Sequence, residues 1–531
     1  MSIGKIEQVI HNAWKRFRHS KLIIFDTLVA FGLAFLTLNE NRSRFLGHDF
    51  NWDLLNYHLS NVTLKQELAL HPSGVQSYFP STLDQLILPI HTLIPSPFAG
   101  LLMLIPYVLD FFILRNLFIR KILEEQIYLP KTLVIVSLSS STALSQMNNS
   151  MGDMIVSPFV LFGLGLALLG IKKHNARFIV LSALPLGIAM GLKSTHIYVL
   201  FSLFIILFYF VVTKKVTIST LLKWSFLNTF IFLAISLRQN IYLWKETGNP
   251  LFPFMNALFR SPSYPEVNFR DDRFGLRRFS DFFTTPIKLA SGSPSGTSEL
   301  DFQDSRLLLM LLSLVLLLTL AFMKSFRSKD KELGSIYCLG IFILLAYISW
   351  GYLFGISRYF LSIEMLIPLF ACGVILHLGL SNHNRKHIGI LIVLAISLIT
   401  TNKTTSVNWG YDGDRTSNIA FEKAIYPVKL DKHSAILLAD APLAFISYQI
   451  KSRTDTIYFS PAFNSYNLEE QLEVIDVRTV YTLSYKGDTS FLNSKLNEYN
   501  RQTSSSCQTI NLDFNNYLTP SVVYLCETKP L

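Results

Sequence analysis

MGDMIVSPFVLFGLGLALLGIKKHNARFIVLSALPLGIAMGLKST, residues 151–195, decides what kind of chain this is. It runs apolar from Met154 to Ile171, meets the basic turn Lys172-Lys173, and after Arg177 runs apolar again to Leu192 before ending on Lys193. Runs of roughly 17 to 22 residues are what an α-helix needs to cross a ~30 Å hydrocarbon core. The stretch therefore predicts two antiparallel transmembrane helices with a basic turn between them. The same unit recurs in both directions, with apolar runs at 22–39, 98–118, 130–147, 153–171, 177–192, 195–213, 221–240, 306–323, 334–352, 360–380 and 387–402, about eleven spans. The basic clusters Arg115/Arg120/Lys121/Lys131, Lys172/Lys173/Arg177, Lys214/Lys215/Lys223, Lys324/Arg327/Lys329/Lys331 and Arg385/Lys386 all fall on one side of that count. The positive-inside rule makes that side cytoplasmic.

The composition agrees. Half of the 531 residues are hydrophobic, 16% are charged and the mean hydropathy is +0.37, which excludes an ordinary soluble domain. A net charge of +11 would suit nucleic acid, but Lys and Arg sit in short clusters between apolar runs, so no nucleic-acid partner is expected. The amino terminus carries Lys5, Lys15, Arg16, Arg18 and Lys21 ahead of Leu22–Leu38, in the manner of a secretory leader. That run is longer than a leader's apolar core and ends in Asn39-Glu40-Asn41-Arg42 without a small-x-small cleavage site. It reads as an uncleaved first span behind a cytoplasmic segment, residues 1–21. The expected architecture is a polytopic α-helical membrane domain over 22–402, with exterior loops at 40–97 and 238–305. A small soluble α/β domain over 403–531 follows on the same exterior side.

In the first loop Leu54, Leu55, Leu59, Val62, Leu64 and Leu68 recur at helical spacing, which predicts one or two juxtamembrane helices. The tail alternates β-rich runs at Ala435–Ala439, Thr456–Ser460 and Thr479–Ser484 with helical stretches at Asn467–Ile475 and Thr489–Asn500. It closes on Thr509–Phe514 and Val522–Cys526, a terminal strand pair. Cys338 and Cys372 fall inside spans, whereas Cys507 and Cys526 lie in the polar tail. In an oxidising compartment a bridge between the last two would staple these strands; two unrelated thiols are the alternative.

Ionisable residues at the exterior ends of spans are costly there and mark pairing or function. The run Gly47-His48-Asp49-Phe50-Asn51-Trp52-Asp53-Leu54-Leu55-Asn56-Tyr57-His58 puts two carboxylates and two imidazoles before an amphipathic helix. Asp53 there is either a helix N-cap or a general base held in a fixed orientation. Lys193 and Arg358 stand on the side where the positive-inside rule does not place cations. Either each snorkels alone, or the two converge into a site for an anionic headgroup. Asp153 opens a span behind Gly152, where capping is again the plain alternative, and Arg306 and Glu364 are weaker instances.

Four motifs in this order resemble the GT-C superfamily of integral-membrane glycosyltransferases, of the mannosyltransferase and aminoarabinose-transferase kind, which use polyprenyl-phosphate-linked sugars at the exterior face. They are Trp52-Asp53-Leu54-Leu55-Asn56-Tyr57-His58 in the first loop, Gly152-Asp153 at a helix start, the turn Gly248-Asn249-Pro250-Leu251-Phe252-Pro253-Phe254, and Arg358-Tyr359-Phe360-Leu361 opening a late span. Family members commonly carry Glu after the loop Asp. Here Leu54 follows it and Asp49 lies four positions earlier, so the base is Asp53 or Asp49. The resemblance implies an inverting transfer in which that carboxylate takes the proton of an attacking hydroxyl, while exterior cations stabilise the departing lipid phosphate.

It further implies substrate contacts from Asn56, Tyr57, His58, Asp153, Lys193, Arg306, Arg358 and Tyr359. The donor would be a polyprenyl-phosphate sugar and the acceptor a glycan, lipid or protein, in a bacterial inner (plasma) membrane with its lipids around the chain. No essential cofactor is expected and no metal site is assigned, although Asp49, Asp53 and His58 could offer ligands to a divalent metal. One rival is a transporter, flippase or polymerase of lipid-linked saccharides, which in its transporter form calls for charges deep inside spans. Another is a structural envelope protein with the tail as a binding module.

Overall fold

The structure, a computed structural model, describes residues 48–63, 72–123, 130–300, 303–322, 331–377, 383–399, 409, 411–412, 430–431, 434–449, 457–459, 479–497, 500–512 and 522–531. The expected span at 22–39, the juxtamembrane helix beyond Thr63 and the tail helix Asn467–Ile475 lie outside those residues.

Strand β1 (His48–Asp49) leads into α1, a wide π-helical turn over Leu54–His58 that continues as α-helix over Leu59–Thr63. Then come α2 (Thr82–Leu93), α3 (Phe98–Leu123), α4 (Pro130–Leu138), α5 (Ser141–Ser145), α6 (Asp153–Lys172), α7 (Ala176–Leu192), α8 (Ser194–Val212), α9 (Ile218–Thr247), α10 (Asp281–Ser291), α11 (Arg306–Phe322), α12 (Gly334–Leu353), α13 (Ser357–Leu376) and α14 (His383–Ile399). Among the described residues α3, α6, α8, α9, α12 and α13 are long and apolar enough to cross a membrane; α7, α11 and part of α14 are shorter apolar helices. The run at 130–147 is two helices. Hydroxyl side chains from Ser139 to Thr142 compete for the backbone there, and Ser140 caps α5 by accepting the Ala143 N–H at 2.9 Å.

Down α9 the residues Leu222, Phe226, Phe230, Leu233, Leu237, Ile241 and Trp244 stand exposed at intervals of three or four, while Leu221, Trp224 and Leu243 turn inward. An apolar stripe that long, turned away from the core, faces lipid, and the chain is an integral membrane protein. On the inward side α7 meets α9 at Gly187 and Gly191, where a Cβ would come within 2.8 Å of Ile231 and Ile235. Small residues allow such close helix approach.

The tail forms a five-stranded sheet in the order β4-β3-β5-β7-β6, from β3 (Ser434–Leu438), β4 (Ile457–Phe459), β5 (Thr479–Ser484), β6 (Arg501–Asn511) and β7 (Val522–Pro530). Strands β4, β3 and β5 are parallel; β5, β7 and β6 are antiparallel. Helix α15 (Thr489–Leu496) is capped by Asp488, which accepts the Ser490 N–H at 2.9 Å. Strand β6 starts eight residues before the expected Thr509 because its first half, Arg501 to Ser506, is polar and shows no apolar alternation. In the β6–β7 register Cys507 faces Cys526, and the two form a disulfide.

The sheet domain rests on α1. Phe50, Leu54, Leu55 and Leu59 share one apolar cluster with Ile436, Leu438, Leu443, Phe445 and Leu525, and the Phe445 N–H donates to the Leu55 carbonyl at 2.9 Å. Strand β2 (Tyr411–Asp412) pairs antiparallel with β1. The first-loop helix is thus gripped by the tail on one side while its acidic residue turns to the helix bundle.

Candidate active site

Helix α1 is capped by Asn51, whose Oδ1 accepts the Leu54 N–H at 2.9 Å, and Asp53 makes no capping bond. Of the two accounts of Asp53, the capping one fails, and the carboxylate is available for another partner. The Leu59 N–H reaches back five residues to the Leu54 carbonyl. On a regular α-helix residues five apart point about 140° away from each other; a wider turn brings them toward one side. Asp53, Tyr57 and His58 accordingly crowd together. Tyr57 and His58 both act on the Asp53 carboxylate, and the Tyr57 and His58 rings lie 4.2 Å apart.

Facing Asp53 is Arg358, its Nη2 2.9 Å from Asp53 Oδ2 and 3.4 Å from Glu299 Oε1, and its Nη1 3.7 Å from Asp153 Oδ2. The Lys193 ammonium is 2.7 Å from Asp153 Oδ1 and donates to the Met151 carbonyl at 2.6 Å. Tyr359 lies against both cations, its ring centre 5.0 Å from the guanidinium carbon and 5.2 Å from the lysine nitrogen. Three carboxylates therefore meet two cations. Lys193 closes α7, Asp153 opens α6 and Arg358 opens α13, so these three helix ends share one end of the bundle.

The backbone around them is fixed. Gly152, at φ +88°, precedes Asp153, and a Cβ there would come within 2.3 Å of the Leu83 side chain. The Asp153 carboxylate sits at the α6 N-terminus, where the helix dipole favours it. Gly355, at φ +67°, touches Gly275 backbone to backbone, with room for no Cβ. The Ser357 N–H donates to the Thr297 carbonyl at 2.7 Å and the Trp350 indole to the Ile356 carbonyl at 2.7 Å, which locks the approach to Arg358. The Gly248–Phe254 turn buttresses the other side. Phe252 lies edge-on to Tyr78, Phe254 stacks on Phe79, and Phe79 meets Tyr57 at 5.5 Å.

Burial alone would raise the Asp53 carboxyl; Arg358, then His58 and Lys193, outweigh it and hold the group below its ordinary value. Burial pushes the Lys193 ammonium down, with Asp153 opposing and Arg358 adding to the fall. Burial, then the charge of Asp53, pushes the Tyr57 hydroxyl well up, so it stays protonated as a donor.

The other expected residues go elsewhere. The Asp49 carboxylate accepts from the Asn51 N–H at 3.1 Å, the Asn51 side chain at 2.9 Å and the Ser150 N–H at 2.6 Å, tying β1 to the turn before α6. Asn56 donates to Gln76 at 2.6 Å. Arg306 stands apart in a second buried knot, with Nη1 2.6 Å from Asp304 and Nη2 donating to the Val136 carbonyl at 2.7 Å. Glu364, also buried, faces that knot, with Asp304 and Arg306 as its nearest charges. The three residues weighed as metal ligands take separate partners, Asp49 with Asn51 and Ser150, Asp53 with Arg358, and His58 with Asp84. Among the described residues no group of three or more His, Cys, Asp or Glu could hold a metal ion.

Three acids escaped the sequence reading. Asp84, in the first turn of α2, looks like a dipole partner but lies 2.7 Å from His58 Nδ1. Glu299 sits in a loop without a signal. Asp110 carried one, as a carboxyl in the middle of an apolar span; there it accepts the Ser157 hydroxyl.

No family model and no curated protein matches the chain. Among solved structures it is similar to a crystal structure of ArnT from Cupriavidus metallidurans in the apo state, at 11% identity and a TM-score of 0.47, over 96% of this chain and 98% of that one. At that identity the chemistry rests on the side chains described above.

Proposed function

We propose that the protein is a membrane glycosyltransferase of GT-C type, moving a sugar from a polyprenyl-phosphate donor to an acceptor hydroxyl with inversion. One observation carries the reading. A first-loop carboxylate, Asp53, pairs with the buried Arg358, and a second, partly buried cation, Lys193, stands next to that pair on Asp153, the two cations being supplied by separate helix ends. That is the pairing of a base with a phosphate-binding group that the transfer requires. Glu299, the most exposed carboxylate of the cluster at 24%, holds through Arg358 the place a headgroup oxygen would take.

When the donor phosphate engages Arg358 and Lys193, Asp53 loses the contact that most depresses its basicity and becomes a better base. The acceptor oxygen then attacks the anomeric carbon as its proton passes to Asp53. The bond from that carbon to the phosphate oxygen breaks, its electron pair stays on the phosphate, and the two cations neutralise it. Lys193 and Arg358 supply the positive charge a divalent ion would otherwise bring. The positive-inside reading puts this end of the bundle on the exterior face. The transporter reading has Asp110 and Glu364 in its favour, two buried carboxyls inside spans among the described residues, where an ion pathway needs a connected series.

The test is transfer of labelled sugar from a panel of polyprenyl-phosphate hexoses and pentoses in membranes holding the protein. Asp53→Asn is expected to lower turnover about 10²- to 10⁴-fold at equal expression. If the wild type transfers nothing, while liposomes containing it carry the labelled donor across, the transporter reading replaces this one.

A further inference from the structure

Asp53 is well placed to receive a proton and poorly placed to keep one, since its resting partner is the Arg358 guanidinium at 2.9 Å. A second proton acceptor stands beside it. His58 is the fifth residue after Asp53, carried by the wide turn of α1 toward the same side; its ring packs at 4.2 Å on Tyr57, and after Arg358 it is the charge that most lowers the Asp53 carboxyl. Its Nδ1 makes an ion-pair contact with Asp84 Oδ1 at 2.7 Å, although neither ring nitrogen is in an aligned hydrogen bond, and Nε2 is buried with no ion-pair partner either. A carboxylate that holds one ring nitrogen as N–H fixes the tautomer and leaves the other nitrogen as acceptor, the arrangement by which a histidine serves as base in the Ser-His-Asp template. An unpaired buried nitrogen is costly, and at His58 it lies near the carboxylate that receives the proton. The charged and titratable groups facing His58 are Asp84 from α2 and Asp53 and Tyr57 from α1.

We propose that the Asp84–His58 pair is the final proton acceptor of the transfer, His58 Nε2 taking from Asp53 the proton that the acceptor hydroxyl gave up. This rests on the transferase reading above. In the first step the acceptor O–H breaks and an O–H forms on Asp53, as the new glycosidic bond forms and the phosphate leaves with its electron pair. In the second step the proton moves from the Asp53 oxygen to His58 Nε2 by way of one bridging water, because the two groups act on each other electrostatically without a direct contact. Asp53 returns as a carboxylate to Arg358, and the imidazolium is held by Asp84 until water removes its proton. Without His58 the proton stays on Asp53, which must lose it before the guanidinium can pair again, so turnover slows while donor binding does not.

The experiment uses the full-length protein and whichever member of the polyprenyl-phosphate hexose and pentose panel it turns over. His58→Gln is expected to lower kcat about 10²-fold with the donor KM within threefold of wild type, and Asp84→Asn to lower it by at least about tenfold through the wrong tautomer. In His58→Gly, added imidazoles should restore turnover in proportion to their basicity, a response that a residue merely filling space or touching the sugar does not give. A raised donor KM with kcat intact, or no rescue in a His58→Gly protein that folds and binds donor, overturns the inference and leaves the transferase standing. Absence of any transfer by the wild type removes both together.

Discussion

Replacing Arg358 by Met leaves Asp53 buried without its nearest counter-charge. Asp153 keeps Lys193 at 2.7 Å and Glu299 has water, so the loss falls on Asp53, whose side chain is 10% exposed. Breaking one side of a buried pair costs about 3–5 kcal/mol. With an unfolding entropy near 2.1 cal/mol/K per residue over 531 residues, that is a drop in Tm of roughly 3–5 °C. The size depends on pH. In the wild type the folded-state value of Asp53 lies below its ordinary one, so the group stabilises the fold above the ordinary carboxylate range and that contribution is lost as pH falls through the folded value. In the variant burial is opposed by His58 and Lys193 without the largest lowering influence, and the carboxyl rises. Its fold is then favoured when the group is protonated and weakened as pH climbs. Scanning fluorimetry of detergent-solubilised protein between pH 4.5 and 8 should show the Tm gap widest at pH 8 and narrowing toward pH 4.5. The double variant Asp53→Asn/Arg358→Met should recover most of the gap, because no buried charge is then left alone at that position. An equal gap at every pH, or a double variant no more stable than the single, would refute an Asp53–Arg358 coupling of this size.

Two further outcomes follow from the backbone and the tail. Gly355→Ala places a Cβ 2.4 Å from the Gly275 Cα, so the loop ahead of Arg358 has to move; strain of about 1–3 kcal/mol is expected, with transfer activity falling far more than the level of folded protein in membranes. With four cysteines and one bridge, maleimide-polyethylene glycol should label two thiols in denatured unreduced protein and four after reduction; four without reductant would exclude the disulfide.

Much of the fold was legible because hydrophobic length is the strongest signal a sequence carries: the run at 153–171 coincides with α6 to within a residue, and the run at 334–352 lies inside a helix that begins at Lys331. Less was legible at 130–147, where length suggested a span while four consecutive hydroxyl residues bent the chain. The site was readable where a residue stood against a rule. Lys193 and Arg358 stood where the positive-inside count expects no cations, and the two meet around Asp153 and Tyr359. What the sequence hid was set by the third dimension. Asp49 and Asp53 differ by one turn of chain and look alike in a string, but the backbone of Ser150, about a hundred residues on, takes the first, and Arg358, about three hundred residues on, takes the second. Asp84 carries no local mark of its histidine, since the wide turn that aims His58 is not encoded in any apolar period.

The order of the four motifs also acquires a physical reason. Each marks a place where a different element touches α1 or its cations: Asp153 at the head of α6 pairs with Lys193, the Gly248–Phe254 turn reaches Tyr57 through Phe79, and Arg358 at the head of α13 meets Asp53. The tail adds a contact that no motif announced, through Phe445 and the Leu55 carbonyl. Burying several charges at the edge of a membrane is unfavourable unless partners are fixed in advance. A helix as short as α1 is marginal on its own. Its geometry is therefore imposed from outside by apolar packing on both sides, and the position of Asp53 reports on the folding of the bundle and the tail together.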